Sequence, residues 1–149
     1  MKKILTFIII VFLFSNCSND DDNGIDCSLF DPVIQQLFIE LVDENGDNLL
    51  ENGTFNIEQI RIRFDNTEFQ VVELGFIENV IPIQFVSQGE NIYEIILSDT
   101  ETDILLLDLS LREEICGIEF FDLETVTYNG EEQMIIVENN IEPLIRVVR

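Results

Sequence analysis

The amino-acid sequence predicts an all-β protein, and its composition and patterning both support that class. The chain is rich in Ile, Val and Phe and contains no Ala, which favours strands over helices. Short runs of alternating apolar and polar residues recur, and turn-forming residues separate them every ~8–12 positions. We therefore expect an immunoglobulin-like β-sandwich of about eight or nine antiparallel strands, with a closed, lipocalin-like β-barrel as the alternative.

The first half of the domain contains four runs that we interpret as strands. The clearest alternation is at residues 57–64, where Arg61 and Arg63 share one face and isoleucines the other. We expect these arginines to pair with acids on neighbouring strands rather than to clamp an anion. Pro82 indicates that the last run lies at a sheet edge or begins there. The expected strands are residues 33–42, 57–64, 69–77 and 81–86.

The second half repeats this pattern and holds the strongest hairpin signal in the chain, Asn129-Gly130. Another Asn-Gly pair, at residues 45–46, lies in a turn that also favours the type I′ form. Leucines at alternate positions from Leu105 onward would face the core from one strand. The expected strands are residues 91–97, 103–111, 118–128, 133–138 and 141–149.

The composition limits the functions open to the protein. Acidic residues number 30 against seven basic ones, the formal net charge is −23, and there is no His and no Trp. This charge argues against nucleic acid as a partner, because phosphate contacts need Lys and Arg. The lack of His removes the usual general base and zinc ligand. We predict no catalytic residues and no enzymatic activity, and we expect the charge to favour solubility.

Residues 1–16 have the pattern of an export signal. Lys2 and Lys3 precede an apolar run of about 11 residues, within the ~7–15 of a signal peptide and below the ~17–25 that span a bilayer. Small or polar residues then lead into Cys17, which suits cleavage ahead of a lipid-modified cysteine. We predict a lipoprotein signal peptide at 1–16, a lipidated Cys17 with an acidic tether at 17–26, and one domain at 27–149. The alternative is an ordinary secretory signal with an incidental cysteine.

The segment at residues 17–22, CSNDDD, resembles the start of small surface lipoproteins of Bacteroidota. The resemblance covers these residues and the general form of the signal peptide. It implies a lipid anchor in the outer membrane through Cys17 and a position at the cell surface, with the periplasmic face as the alternative. It also implies two or three acyl chains, which would hold the protein lastingly because each buried CH₂ contributes about 0.8 kcal/mol.

Two cysteines remain once Cys17 is assigned to the anchor. An exported protein reaches an oxidising compartment, so we predict a disulfide between Cys27 and Cys116. Closing a loop of this length stabilises a fold by about 4–5 kcal/mol on the chain-entropy account. The alternative is a pair of buried thiols.

Two acidic turns carry oxygen ligands at alternate positions, as calcium-binding loops do. Gly46 falls two places early for an EF-hand, and alternate acids arise readily in so acidic a chain. Ordinary turns are therefore the favoured interpretation, and calcium is the one cofactor considered. The candidate ligands are Asp43, Asn45 and Asp47 in the first turn and Asp99, Glu101 and Asp103 in the second.

Adjacent glutamates at 113–114 and 131–132 would fall on opposite faces of a strand, so neither pair suits acid/base catalysis. The favoured hypothesis is a surface binding or adhesion module, or an accessory subunit of the cell envelope, with an unnamed protein or glycan partner. The alternative is an inhibitor of a basic secreted enzyme, such as a lysozyme or a protease, which the negative charge would attract.

Overall fold

The structure, a computed structural model, describes residues 34–72, 77–137 and 142–149. These residues form nine strands and two short 3-10 turns, Ile57–Gln59 and Ile115–Gly117. No helix in this part of the chain has the length and apolarity to cross a membrane. The predicted signal peptide and tether lie outside the described residues. The strands are β1 (Gln36–Val42), β2 (Arg61–Phe64), β3 (Thr67–Gln70), β4 (Ile81–Gln84), β5 (Gly89–Ile96), β6 (Thr102–Glu113), β7 (Glu119–Tyr128), β8 (Glu131–Glu132) and β9 (Leu144–Val148).

The strands form two sheets that share one core. The smaller sheet has the order β4-β1-β9, and the larger has the order β3-β2-β5-β6-β7-β8. Both contribute to a single cluster of buried side chains, including Leu37 and Ile145 from the smaller sheet and Leu105 and Leu107 from the larger. The predicted β-sandwich is confirmed, and the sheets do not close into the alternative barrel.

One strand pair differs from the antiparallel arrangement that we expected. β1 runs parallel to β9, with Phe38 opposite Leu144 and Val42 opposite Val148. β1 is the central strand of its sheet, and side chains on both of its faces are buried. An alternating pattern predicts which side chains share a face, but it does not encode the direction of the neighbouring strand.

The tight turns follow the backbone preferences of Asn and Gly. Asn129 and Gly130 have φ values of 49° and 84° and connect β7 to β8, as the sequence predicts. Asp65 and Asn66 connect β2 to β3 in the same left-handed conformation, with φ values of 44° and 62°. At residues 45–46 only Gly46 has positive φ, so that turn is not the expected type I′.

Several expected strands are shorter than predicted. Residues 57–59 form a 3-10 turn instead of the start of β2, capped by the Asn56 side chain, which accepts a hydrogen bond from the Glu58 N–H. The expected strand at 133–138 is replaced by the two residues of β8 and by one bridge between Ile136 and Leu144. Pro82 lies in β4, an edge strand, as its missing N–H requires.

A candidate binding groove between two sheet edges

Two edge strands, β3 of the larger sheet and β4 of the smaller, border an apolar groove of about 390 Å³. Its rim includes Ile34, Phe69, Val72 and Val86, each more than half exposed. Large apolar side chains that gather around one hollow differ from isolated surface hydrophobics, because together they can bury a ligand. The core of the sandwich is therefore accessible from this side.

The described residues that line the groove include no charged side chain. Its polar members are the amides of Gln36, Gln70 and Gln84 and the side chain of Tyr93. In a chain with 30 acids, an uncharged hollow of this size is a distinctive surface. Its side chains can bury apolar surface and exchange amide hydrogen bonds, which is the chemistry of a binding site.

The floor of the groove is held by Tyr93 from β5. Its ring stacks on Phe64 at a centroid distance of 4.8 Å, and its hydroxyl donates a hydrogen bond of 3.0 Å to the Gln84 carbonyl oxygen. Burial raises the pKa of Tyr93 to about 12, so the hydroxyl keeps its proton at neutral pH. Because β5 and β4 belong to different sheets, this hydrogen bond joins the two layers beneath the groove.

A second hollow, which we call the acidic hollow, adjoins the groove at Gln70. It measures about 750 Å³, and its charged residues are Glu58, Glu68 and Asp99 with Arg61 as the one base among the described residues. Arg61 lies 3.1 Å from Glu68 and 3.8 Å from Asp99. Three carboxylates against one guanidinium leave the hollow negative. The two surfaces share Gln70 but lie on opposite faces of the larger sheet, because Phe69 pairs with Ile62 of the groove whereas Glu68 pairs with Arg63.

The arginines of β2 pair with acids on the strands beside them. Arg63 contacts Glu94 of β5 and lies 3.2 Å from Glu68 of β3. Arg61 shares Glu68 with it. The predicted cross-strand pairing is confirmed, and the two side chains are engaged with protein carboxylates.

The first calcium candidate is a hydrogen-bonded turn. One carboxylate oxygen of Asp43 accepts hydrogen bonds of 2.9 Å from the N–H groups of both Asn45 and Asp47. The bond from Asp47 is the main cause that lowers the pKa of Asp43. The Asp43 carboxylate therefore caps its own turn, the favoured interpretation of this segment.

The residues of the second calcium candidate lie in different environments. Asp103 is buried at 4% exposure, whereas Asp99 is fully exposed beside Arg61. Glu101 lies 3.0 Å from Arg149. Within the described ranges, no group of three or more His, Cys, Asp or Glu residues is placed to hold a metal ion.

Asp103 instead anchors a cluster that sequence reasoning missed, which we call the buried charge cluster. Its carboxylate accepts hydrogen bonds from the Tyr128 hydroxyl at 2.7 Å and the Asn129 amide at 3.0 Å. Two guanidinium nitrogens of Arg149 lie 3.1 Å from the two carboxylate oxygens. Burial, followed by the bond to Asp103, raises the pKa of Tyr128. The sequence signal for the burial of Asp103 was strand periodicity. Residue 103 lies two positions before the buried Leu105 of β6, so the two side chains point to the same face.

None of the other predicted site residues that the structure describes lines the groove. Cys116 is in a 3-10 turn with φ at 69°, and Cys17 and Cys27 fall outside the described residues. The lipidation and the disulfide therefore stay predictions. The glutamate pairs at 113–114 and 131–132 are exposed. No protein-family model, curated protein or solved structure matches the chain.

Proposed function

We propose that the chain is a lipid-anchored binding or adhesion module of the cell envelope, or an accessory subunit of an envelope complex. The observation that carries the binding role is a groove whose described lining holds no charge, on an otherwise strongly acidic domain. The anchor rests on the apolar run that precedes Cys17 and on the polar CSNDDD segment that starts there. In this proposal the tether displays the domain from the outer membrane at the cell surface.

A protein is the favoured partner, because the groove is apolar and bordered by strand edges. Sugar-binding surfaces use exposed aromatic platforms, and the chain has two Tyr and no Trp. Both tyrosines, Tyr93 and Tyr128, are buried. A strongly negative domain would also associate faster with a basic partner than with an acidic one.

Protease treatment of intact cells tests the location. In a Bacteroidota host, the full chain should enter the membrane fraction and be digested by protease added outside the cells. Cys17→Ser should move it to the soluble fraction, whereas Cys27→Ser, at the cysteine that follows the tether, should leave it in the membrane. If the protease digests the chain only after the cells are lysed, the protein is assigned to the periplasmic face instead. Retention of residues 1–16 on the purified chain would contradict the anchor.

Export also predicts the disulfide between Cys27 and Cys116. Thiol alkylation followed by mass measurement should label neither cysteine before reduction and both after reduction. Labelling of both in the unreduced, unfolded chain would show two thiols and remove the disulfide, while leaving the anchor to its own test.

Inhibition of a basic secreted enzyme is the second candidate function. The acidic hollow favours it, because a cluster of carboxylates at the surface attracts a basic active-site rim. Lysozymes and basic proteases should lose activity when the chain is added at low salt. Full activity across a panel of such enzymes would remove this candidate.

A further inference from the structure

We propose that the groove and the acidic hollow together bind one extended segment of a partner protein, with apolar side chains at alternate positions and a basic side chain between them. This inference deepens the proposed function, on which it rests, by naming the chemistry of the partner. Four features carry it: the free edge of β3, the blunted edge of β4, the uncharged groove and the adjoining negative charge.

The edge of β3 can accept another strand. Among the described strands, none pairs with its outer side, and all four of its residues are exposed. The Val71 N–H donates to Ile60 O on the inner side. Because antiparallel pairs alternate, Glu68 and Gln70 then direct their backbone groups outward. These groups can form a ladder with an extended peptide.

The edge of β4, on the other side of the groove, is a poorer template. The Phe38 N–H donates to Pro143 O, away from β4, so the facing pair of Phe38 and Pro82 is not hydrogen-bonded. Pro82 therefore turns its backbone outward, where it has no N–H to donate. An added strand is thus expected at β3, with its side chains reaching over the groove toward β4.

The groove suits the apolar side chains of such a strand. Its volume of about 390 Å³ lies within the ~300–1,000 Å³ typical of binding pockets. In an added strand, every second side chain would point to the groove. Since the lining is uncharged, those side chains need no charged partner there.

The acidic hollow selects side chains that lie between the apolar ones. Glu68 and Gln70 line the hollow and alternate along β3 with Phe69, which lines the groove, so an added strand presents alternate side chains to the two surfaces. Asp99 is fully exposed and only 3.8 Å from a guanidinium that Glu68 already occupies. A Lys or Arg on the ligand can therefore reach a carboxylate that is not enclosed by its neighbours.

The charge of the chain makes a second copy a poor occupant. Two chains of net charge −23 repel one another, and each would bring an acidic hollow to the other. An acyl chain could fill apolar space, but it would use neither the β3 edge nor the hollow. Both occupants are outcomes that the experiment separates.

The test uses labelled synthetic peptides of eight residues and the full chain, in lipid nanodiscs if it is anchored and in solution otherwise. The first peptide has Val at alternate positions and two Lys at positions between them. The second replaces Lys with Glu, and the third carries N-methyl groups on the edge that would face β3. Fluorescence anisotropy should show that the first binds at least about tenfold more tightly than either of the others.

Variants then assign the binding to the surface. Phe69→Gln should weaken the first peptide about tenfold, because Phe69 is a 54% exposed groove residue on the paired strand. Asp99→Asn should weaken it about threefold and reduce its salt dependence. Ile92→Gln is the matched control, since Ile92 is 56% exposed outside the groove residues, and it should change nothing.

Other outcomes overturn the proposal. Equal affinity for the three peptides, or binding insensitive to Phe69→Gln, would show that neither the β3 edge nor the groove is used. Phe69-dependent binding of zwitterionic phosphatidylcholine vesicles by a chain that binds no peptide would assign the groove to lipid. If the chain sediments as a dimer and Phe69→Gln makes it monomeric, the groove is assigned to a second copy. If the chain is anchored but binds no peptide, the proposed location stands and the peptide-binding proposal fails. If the chain is soluble and binds the peptide, only the anchor is removed.

Discussion

The buried charge cluster holds a charged side chain in the interior, whereas the groove exposes apolar side chains at the surface. At the cluster, the buried carboxylate of Asp103 pairs with the partly exposed guanidinium of Arg149. At the groove, apolar side chains face the solvent and no charge lies among the described lining. Among the described residues, no buried side-chain nitrogen or oxygen lacks a hydrogen-bond partner. The polar groups of the cluster are therefore satisfied within the chain, whereas the apolar side chains at the rim of the groove stay exposed.

This difference teaches which substitutions should affect stability and which should affect binding. A buried ion pair is costly to break, because removing one partner leaves the other uncompensated. An exposed apolar side chain contributes little to folding, since it stays in water in both states. The following predictions test that division, beginning with the largest expected effect.

Asp103→Ala should lower the free energy of unfolding by about 2–4 kcal/mol, because it leaves the buried Tyr128 hydroxyl without its acceptor and removes the hydrogen bonds from the partly exposed Arg149 guanidinium. Urea denaturation measures the change. Asp99→Ala, on the exposed loop, is the control and should leave the midpoint unchanged. A small effect of Asp103→Ala would mean that water replaces the carboxylate and that the cluster is not closed.

Alkaline pH should destabilise the fold through its two tyrosines. The pKa of Tyr93 is raised from 10.0 to about 12, so its stabilising effect is complete below pH 10 and is lost as the pH rises through 12. The loss from Tyr93 should reach about 2–3 kcal/mol. Tyr128, whose pKa is also raised, adds in the same direction.

Ultraviolet titration can follow both groups, because the chain contains two Tyr and no Trp. Tyrosinate absorbance should appear only together with unfolding. Its appearance near pH 10, with the fold intact, would contradict the buried environments of both side chains.

Tyr93→Phe should cost about 1–2 kcal/mol, because it removes one hydrogen bond and leaves the Gln84 carbonyl oxygen without that donor. Unlike the substitution at Asp103, it should also reduce peptide affinity, since the hydroxyl holds the floor of the groove. Chemical denaturation and the anisotropy assay together separate the two effects. Unchanged peptide affinity would place Tyr93 with the stabilising residues alone.

Phe69→Gln should have the smallest effect on folding, less than about 0.5 kcal/mol, because the side chain is exposed and lies on an edge strand. The same variant should show the largest loss of peptide binding. Thermal unfolding compared with Ile92→Gln checks the first statement. A loss of stability similar to that of Tyr93→Phe would mean that Phe69 supports the core.

The sequence predicts the strands well where the alternation is uninterrupted. The leucines of β6 and the Asn129-Gly130 turn follow directly from side-chain periodicity and backbone preference. The register that buries Leu105 also buries Asp103. The expected strand at residues 103–111 begins with Asp103, but its carboxylate is interpreted as an exposed calcium candidate, because charged residues are rarely buried unless paired and the partner, Arg149, is remote in sequence.

The groove could not be predicted in this way. Its existence depends on which strands become sheet edges, and strand order is a property of pairing rather than of any one segment. Phe69 and Val86 look like core positions in their own runs, and only the ends of the sheets leave them exposed. Similarly, no local feature of β1 indicates a parallel neighbour.

The parallel pairing of β1 with β9 also has a consequence for folding. The ion pair between Glu40 and Arg146 on these strands joins residues 106 positions apart. At synthesis rates of ~5–20 residues per second, β1 therefore waits about 5–20 seconds for its neighbour. Contacts this distant slow folding and keep the nascent chain open. The smaller sheet is therefore completed only after Leu144–Val148 has been made, whereas the strands of the larger sheet are all made before it.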